Sequence, residues 1–134
     1  SWTRRPRGTD PVHVGYVALS GLRLADADLL RLGLSFPAVG RRAREIEALP
    51  SLGLLTLAGM APERFTAEYV EARDIADIPD RFDAVALSTL TATAKEAYAL
   101  SARLRERGVP VVLGGLHATL APEEAARHAD AVVV

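Results

Sequence analysis

Four stretches of the chain are apolar at nearly every position and rich in β-branched residues: Val12–Leu19 (VHVGYVAL), Asp83–Ser88 (DAVALS), Val109–Leu113 (VPVVL) and Asp130–Val134 (DAVVV). A fifth, Thr66–Arg73 (TAEYVEAR), is more polar but carries strand-forming residues. Runs of this length and kind read as strands. Helical signals lie between them. Leu52–Met60 (LGLLTLAGM) is apolar on nearly every face and stops before Pro62, which predicts a short helix buried against a sheet. Thr93 and Glu96 have the spacing of a capping box for a helix over Ala94–Arg107, and Arg103, Arg105 and Arg107 ahead of Gly108 supply its stop chemistry. Pro122-Glu123-Glu124 opens a last helix.

Strands that are apolar along their whole length and alternate with helices predict a parallel sheet covered on both faces. The expected fold is α/β: a doubly wound, Rossmann-like five-stranded parallel sheet of flavodoxin-type order 2-1-3-4-5, with helices on both faces. Such sheets bind ligands beyond the carboxyl ends of their strands. Here those ends are Ser20-Gly21, Asp74, Ser88-Thr89-Leu90 and Gly114-Gly115-Leu116-His117. The long connection 22–49 leaves the same edge; with Gly33, Pro37, Gly40 and the cluster Arg41, Arg42, Arg44 it reads as functional or disordered. It would either cover a ligand, its arginines meeting an acidic substrate, or be a solvated loop.

Length and composition narrow the function. At 134 residues the chain fits one domain, and its core needs no disulfide or metal staple. With no Cys it holds no thiolate zinc site, iron–sulfur cluster or cysteine nucleophile of its own. Its formal charge is −1 and it has only seven aromatic residues, which argues against a nucleic-acid groove or base-stacking platform. No apolar run is long enough to span a bilayer. Residues 1–10 form a flexible basic arm with no apolar segment behind it, so no signal peptide is expected and the cytoplasm is the default location. The chain opens at Ser1 and closes on Ala131–Val134, which reads as a buried strand cut off before any turn; the expectation is a domain, 11–134, of a longer parent.

The candidate chemistry lies at two of the strand ends. Ser88-Thr89-Leu90-Thr91-Ala92-Thr93 places four hydroxyls at a strand-to-helix junction, where hydroxyls and free N–H groups can hold a phosphate, a nucleotide tail or a ring nitrogen. The plainer alternative is helix capping. Gly114-Gly115 removes two side chains at the end of a strand, which suits a turn or the close approach of a ligand. Of the three His, His13 reads as a strand residue and His128 as a helix-end residue; His117 alone lies on the ligand edge, in contact with ligand or behind it. No pair has metal-ligand spacing. ALSGLRLAD after the first strand offers neither G-x-G-x-x-G nor G-x-x-x-x-G-K-[ST], and the third strand ends in Ser88 where a phospho-receiver needs Asp.

The segment LSTLTATAKEAYALSARLRERGVPVVLGGLHATLAPEEAARHADAVVV resembles the second half of the cobalamin-binding domain that precedes the catalytic barrel in B12-dependent radical SAM enzymes. PSLGLLTLAGM is similar to that family's first sheet-packing helix, so the resemblance covers residues 50–134 well and 11–49 poorly. The group includes methyltransferases and the anaerobic magnesium-protoporphyrin monomethyl ester cyclase. The resemblance implies that Ser88 and Leu90, as an S-x-L motif, meet the dimethylbenzimidazole end of cobalamin, and that Gly114 and Gly115 let its nucleotide tail lie against the backbone. Thr89, Thr91 and His117 are neighbouring candidates; Ser20 and Gly21 complete the edge. The D-x-H-x-x-G motif that supplies a cobalt-ligating His is absent. That departure implies cobalamin held without a protein His, or a degenerate domain that binds none and serves structure or substrate recognition. The implied partners are cobalamin and a C-terminal radical SAM barrel in the parent, which would carry the iron–sulfur cluster and S-adenosylmethionine. A third reading is a flavin or nucleotide domain that depends on Ser20-Gly21.

Overall fold

Val12–Leu19 forms strand β1, an inner strand of a parallel five-stranded sheet ordered β2-β1-β3-β4-β5, with β2 at Phe65–Ala72, β3 at Ala84–Ser88, β4 at Val111–Gly114 and β5 at Ala131–Val132. This is the expected fold class and strand order. The computed structural model describes residues 11–19 and 51–134. The expectations for 1–10 and 20–50, including those on Ser20, Gly21, Arg41, Arg42 and Arg44, fall outside the described residues.

The helices are α1 (Leu52–Gly59), α2 (Ala94–Glu106), α3 (Leu116–Leu120) and α4 (Pro122–Ala126). The chain steps one way along the sheet from β1 to β2 and the other way from β3 to β4. Right-handed crossovers therefore put α1 and α2 on opposite faces, and the direction reverses between β1 and β3. Val17, Val85, Leu87, Val111 and Leu113, from three adjacent strands, are all but sealed from solvent. Each such side chain contributes about 1.5–3 kcal/mol by leaving water. Helix α2 closes this core with Ala94, Ala97, Leu100, Ser101 and Leu104, one stripe at helical spacing. It ends as its sequence predicts: Gly108 takes φ 79°, Val109 N–H reaches the Leu104 carbonyl at 3.0 Å and Gly108 N–H the Arg105 carbonyl at 2.9 Å. That pair of bonds is a Schellman stop.

Three expectations need correction. Helix α1 is apolar but not buried: only Leu54 is, while Leu52 is 75% and Met60 74% exposed. It rests one side on β1 and β2, and its remaining apolar side chains point away from the sheet. The Thr93–Glu96 capping box does not form; a 3-10 turn over Thr91–Thr93 precedes α2, and the Thr93 hydroxyl turns back to the Leu90 carbonyl at 3.3 Å. The last strand is short, with Val133 and Val134 exposed, and among the described residues β5 pairs only with β4. Helix α3 was not foreseen, since five residues between Gly115 and Ala121 carry no readable periodicity. Among the described residues, no helix is long and apolar enough to cross a membrane.

Candidate functional site

Parallel register puts Ser88, the last residue of β3, directly beside Gly114, the last of β4. The two sequence motifs therefore meet as the facing lips of one cleft at the carboxyl edge of the sheet, next to the strand where the winding reverses. On the first lip, extended backbone sends alternate side chains to opposite sides. Ser88 and Leu90 face outward, Leu90 being 51% exposed, while Thr89 between them is fully buried. The Ser88 hydroxyl has no hydrogen-bond partner among the described residues. Thr89 has three: its N–H donates to the Gly114 carbonyl at 2.8 Å, its hydroxyl to the same oxygen at 2.9 Å, and its carbonyl accepts from His117 N–H at 3.1 Å. Thr89 is thus a strut that pins the lips together, and among the described residues Ser88 is the hydroxyl beside it that is not so tied.

The second lip turns at Gly115, which is exposed and has φ +95°. A Cβ at this position would lie 2.8 Å from the Thr89 carbonyl oxygen and 2.9 Å from Ser88 Oγ, so only glycine fits this backbone and this approach. The cradle would be filled by any other residue. Around it lie exposed apolar side chains, Leu90, Leu116 at 59% and, beside Gly114, Val133. The sequence places Leu116 on the ligand edge without a role and gives Val133 none, because a lone leucine after a double glycine and a terminal valine look like any sheet residue. The edge thus sets exposed apolar groups around a hydroxyl and bare backbone. Of the N–H groups at this junction, those of Thr89 and Thr93 are spent on carbonyls, and that of Leu90 faces Thr93 Oγ1 at 3.4 Å.

None of the described histidines offers a ring nitrogen to the cleft. His13 begins β1 at the opposite edge, tied to Asp83 through its backbone at 2.9 Å. His128 follows α4, not within it, and stacks on Tyr98 with centroids 4.0 Å apart. His117, in α3, turns Nδ1 to the Thr91 hydroxyl at 3.3 Å and Nε2 to the Glu124 carboxylate at 3.5 Å. Among the described residues no group of three or more His, Cys, Asp or Glu could hold a metal ion.

A family model for the B12 binding domain matches residues 47–134, two-thirds of the chain and both lips with it, and the chain belongs to that family. It is similar to the bacteriochlorophyllide d C-8(2)-methyltransferase of Chlorobaculum tepidum, 40% identical over 86 residues, and to the C-12(1)-methyltransferase of the same organism, 33% identical over 85. These matches cover 63% and 61% of this chain but 19% of each relative, so the chain corresponds to about a fifth of the curated proteins it resembles. No solved structure matches it.

Proposed function

We propose that residues 11–134 form a cofactor-holding domain that takes cobalamin by its nucleotide tail, between Ser88–Leu90 and Gly114–Gly115, without a protein His on the cobalt. The observation that carries this is the pairing of the bare, positive-φ Gly115 with the unengaged Ser88 hydroxyl across one apolar-rimmed cleft. In this reading Ser88 hydrogen-bonds the tail, Leu90 and Leu116 pack on the dimethylbenzimidazole ring, and the Gly114–Gly115 backbone lets the tail lie close. Thr89 acts from behind as a strut, and Thr91 stands exposed on the first lip. When bound, cobalamin would supply a cobalt centre that accepts and releases a methyl group.

The parent is read as a cytoplasmic radical SAM enzyme whose barrel follows this domain and holds the iron–sulfur cluster and S-adenosylmethionine, because this chain has no Cys to ligate a cluster. Methyl transfer is favoured over cyclisation by the names of the two relatives. Absence of a cobalt-ligating His agrees with the sequence, which has no His between His13 and His117, and with the way His117 is committed to Thr91 and Glu124. Titration of the chain with hydroxocobalamin and methylcobalamin, followed by calorimetry and absorbance, tests the reading. Saturable binding with a base-off spectrum is expected; no saturable binding at high micromolar cofactor would return the chain to a structural or substrate-recognising role.

A further inference from the structure

Behind the second lip lies a small polar cluster that the cleft itself does not use. His117 on α3, Tyr98 on α2 and Glu124 on α4 converge there. The Tyr98 hydroxyl and His117 Nε2 are both buried, and neither has an aligned hydrogen-bond partner. Glu124 is the acceptor beside them, at ion-pair distance from Nε2 and half exposed. The Tyr98 hydroxyl first, then His117, hold the Glu124 carboxyl below the ordinary carboxylate range. Burial, more than the facing carboxylate, pushes the Tyr98 hydroxyl up. Arg127 faces both Tyr98 and Glu124, and His128 stacks on the Tyr98 ring. The other ring nitrogen of His117 meets Thr91, an exposed hydroxyl on the cleft's first lip.

We propose that His117 is a positioning residue whose protonation sets whether the Thr91 hydroxyl donates or accepts at the cleft, with Glu124 as the group that holds the ring in place. The chemistry follows from the donor inventory of imidazole. The imidazolium has N–H on both nitrogens, so Nε2–H lies at ion-pair distance from Glu124 and Nδ1–H meets Thr91 Oγ1. Thr91 then accepts, and its own hydrogen is free for a ligand. In the neutral ring the Glu124 carboxylate keeps the proton on Nε2, which leaves Nδ1 as an acceptor. Thr91 must then donate to Nδ1 and shows the cleft only lone pairs. A ligand rich in acceptors, as the phosphate and ring nitrogen of a nucleotide tail are, is held better by the first arrangement. This inference rests on the reading that the cleft takes cobalamin.

The test combines affinity with a readout on the free chain. Cobalamin affinity measured between about pH 5.5 and 8.5 is expected to weaken about three- to tenfold with rising pH, the scale of one hydrogen bond. Thr91→Val and His117→Gln should each flatten this profile. His128→Gln, which removes the other imidazole at Tyr98, should keep it. Without any ligand, ring 15N shifts of His117 at the upper pH should report the Nε2–H tautomer. An Nδ1–H tautomer, or an unchanged pH profile in Thr91→Val and His117→Gln, overturns the proposal. If no form of the chain binds cobalamin, the functional reading fails, and the tautomer still decides the His117 linkage by itself.

Discussion

Helices α1 and α2 both cover the sheet, yet only one of them is held by its core. Helix α2 is the less hydrophobic, with Lys95, Glu96, Arg103 and Arg105 on its outer face, and still buries five residues in one stripe. Helix α1 has no charged residue and buries one, Leu54. The difference teaches that spacing, not apolar content, tells which helix a sheet will hold: a stripe at i, i+3 and i+7 meets one surface, whereas leucines spread around the axis cannot all do so. The same contrast separates the two ends of the sheet. The carboxyl edge keeps a hydroxyl and a glycine turn open, while the opposite edge is fenced by exposed ion pairs, Arg105–Asp130 at 3.2 Å and Arg107–Asp80 at 3.3 Å.

Substitutions at four positions would break or sharpen these contrasts. Leu100→Ala, in the stripe of α2, should cost about 2–5 kcal/mol of stability on thermal or denaturant unfolding, since it opens a cavity in packed core. Gly115→Val should abolish cobalamin binding in a calorimetric titration, because its side chain fills the cleft against Thr89 and Ser88. It also strains a backbone at φ +95°, so Gly115→Ala, with less bulk in the cleft, serves as the comparison, and wild-type affinity in both would remove the site. Ser88→Ala should weaken binding by about 0.5–1.5 kcal/mol, roughly two- to twelvefold, while the fold is unchanged. Leu57→Ala, on the outer side of α1, should change stability by no more than about 0.5 kcal/mol. A loss as large as that of Leu100→Ala would show that α1 is covered after all.

A smaller effect concerns acid. Asp77 accepts from the backbone N–H groups of Arg73 at 2.7 Å and Asp74 at 3.0 Å, and these bonds hold its carboxyl below the ordinary carboxylate value. A depressed folded-state value means that stability is present above the unfolded carboxylate range and is lost as pH falls through the folded one. Asp77→Asn should therefore flatten the acid limb of a pH–stability profile; an identical limb in the variant would remove this carboxylate as a contributor.

Much of this was legible in the sequence because four of the five strands are short, β-branched and apolar nearly throughout, the pattern of a parallel sheet covered on both faces. The crossover rules leave a few strand orders, of which 2-1-3-4-5 is the one found, and that order sets Ser88 beside Gly114. What stayed illegible depends on contacts between distant residues. Thr93 has the spacing of a cap, but the turn at Thr91–Thr93 points its hydroxyl at Leu90. Thr89 and Ser88 are chemically alike in the sequence, and only the register with β4 decides that one is a strut and the other open. Tyr98 and Glu124 carry no signal at all until α2 and α4 bring them to His117.

The most direct test of the site is a crystal structure of the chain grown with cobalamin. The account predicts the nucleotide tail between Ser88–Leu90 and Gly114–Gly115, the Ser88 hydroxyl bonded to it, and no His nitrogen on cobalt. A tail seated anywhere else, or His117 turned from Glu124 to ligate the metal, would contradict it.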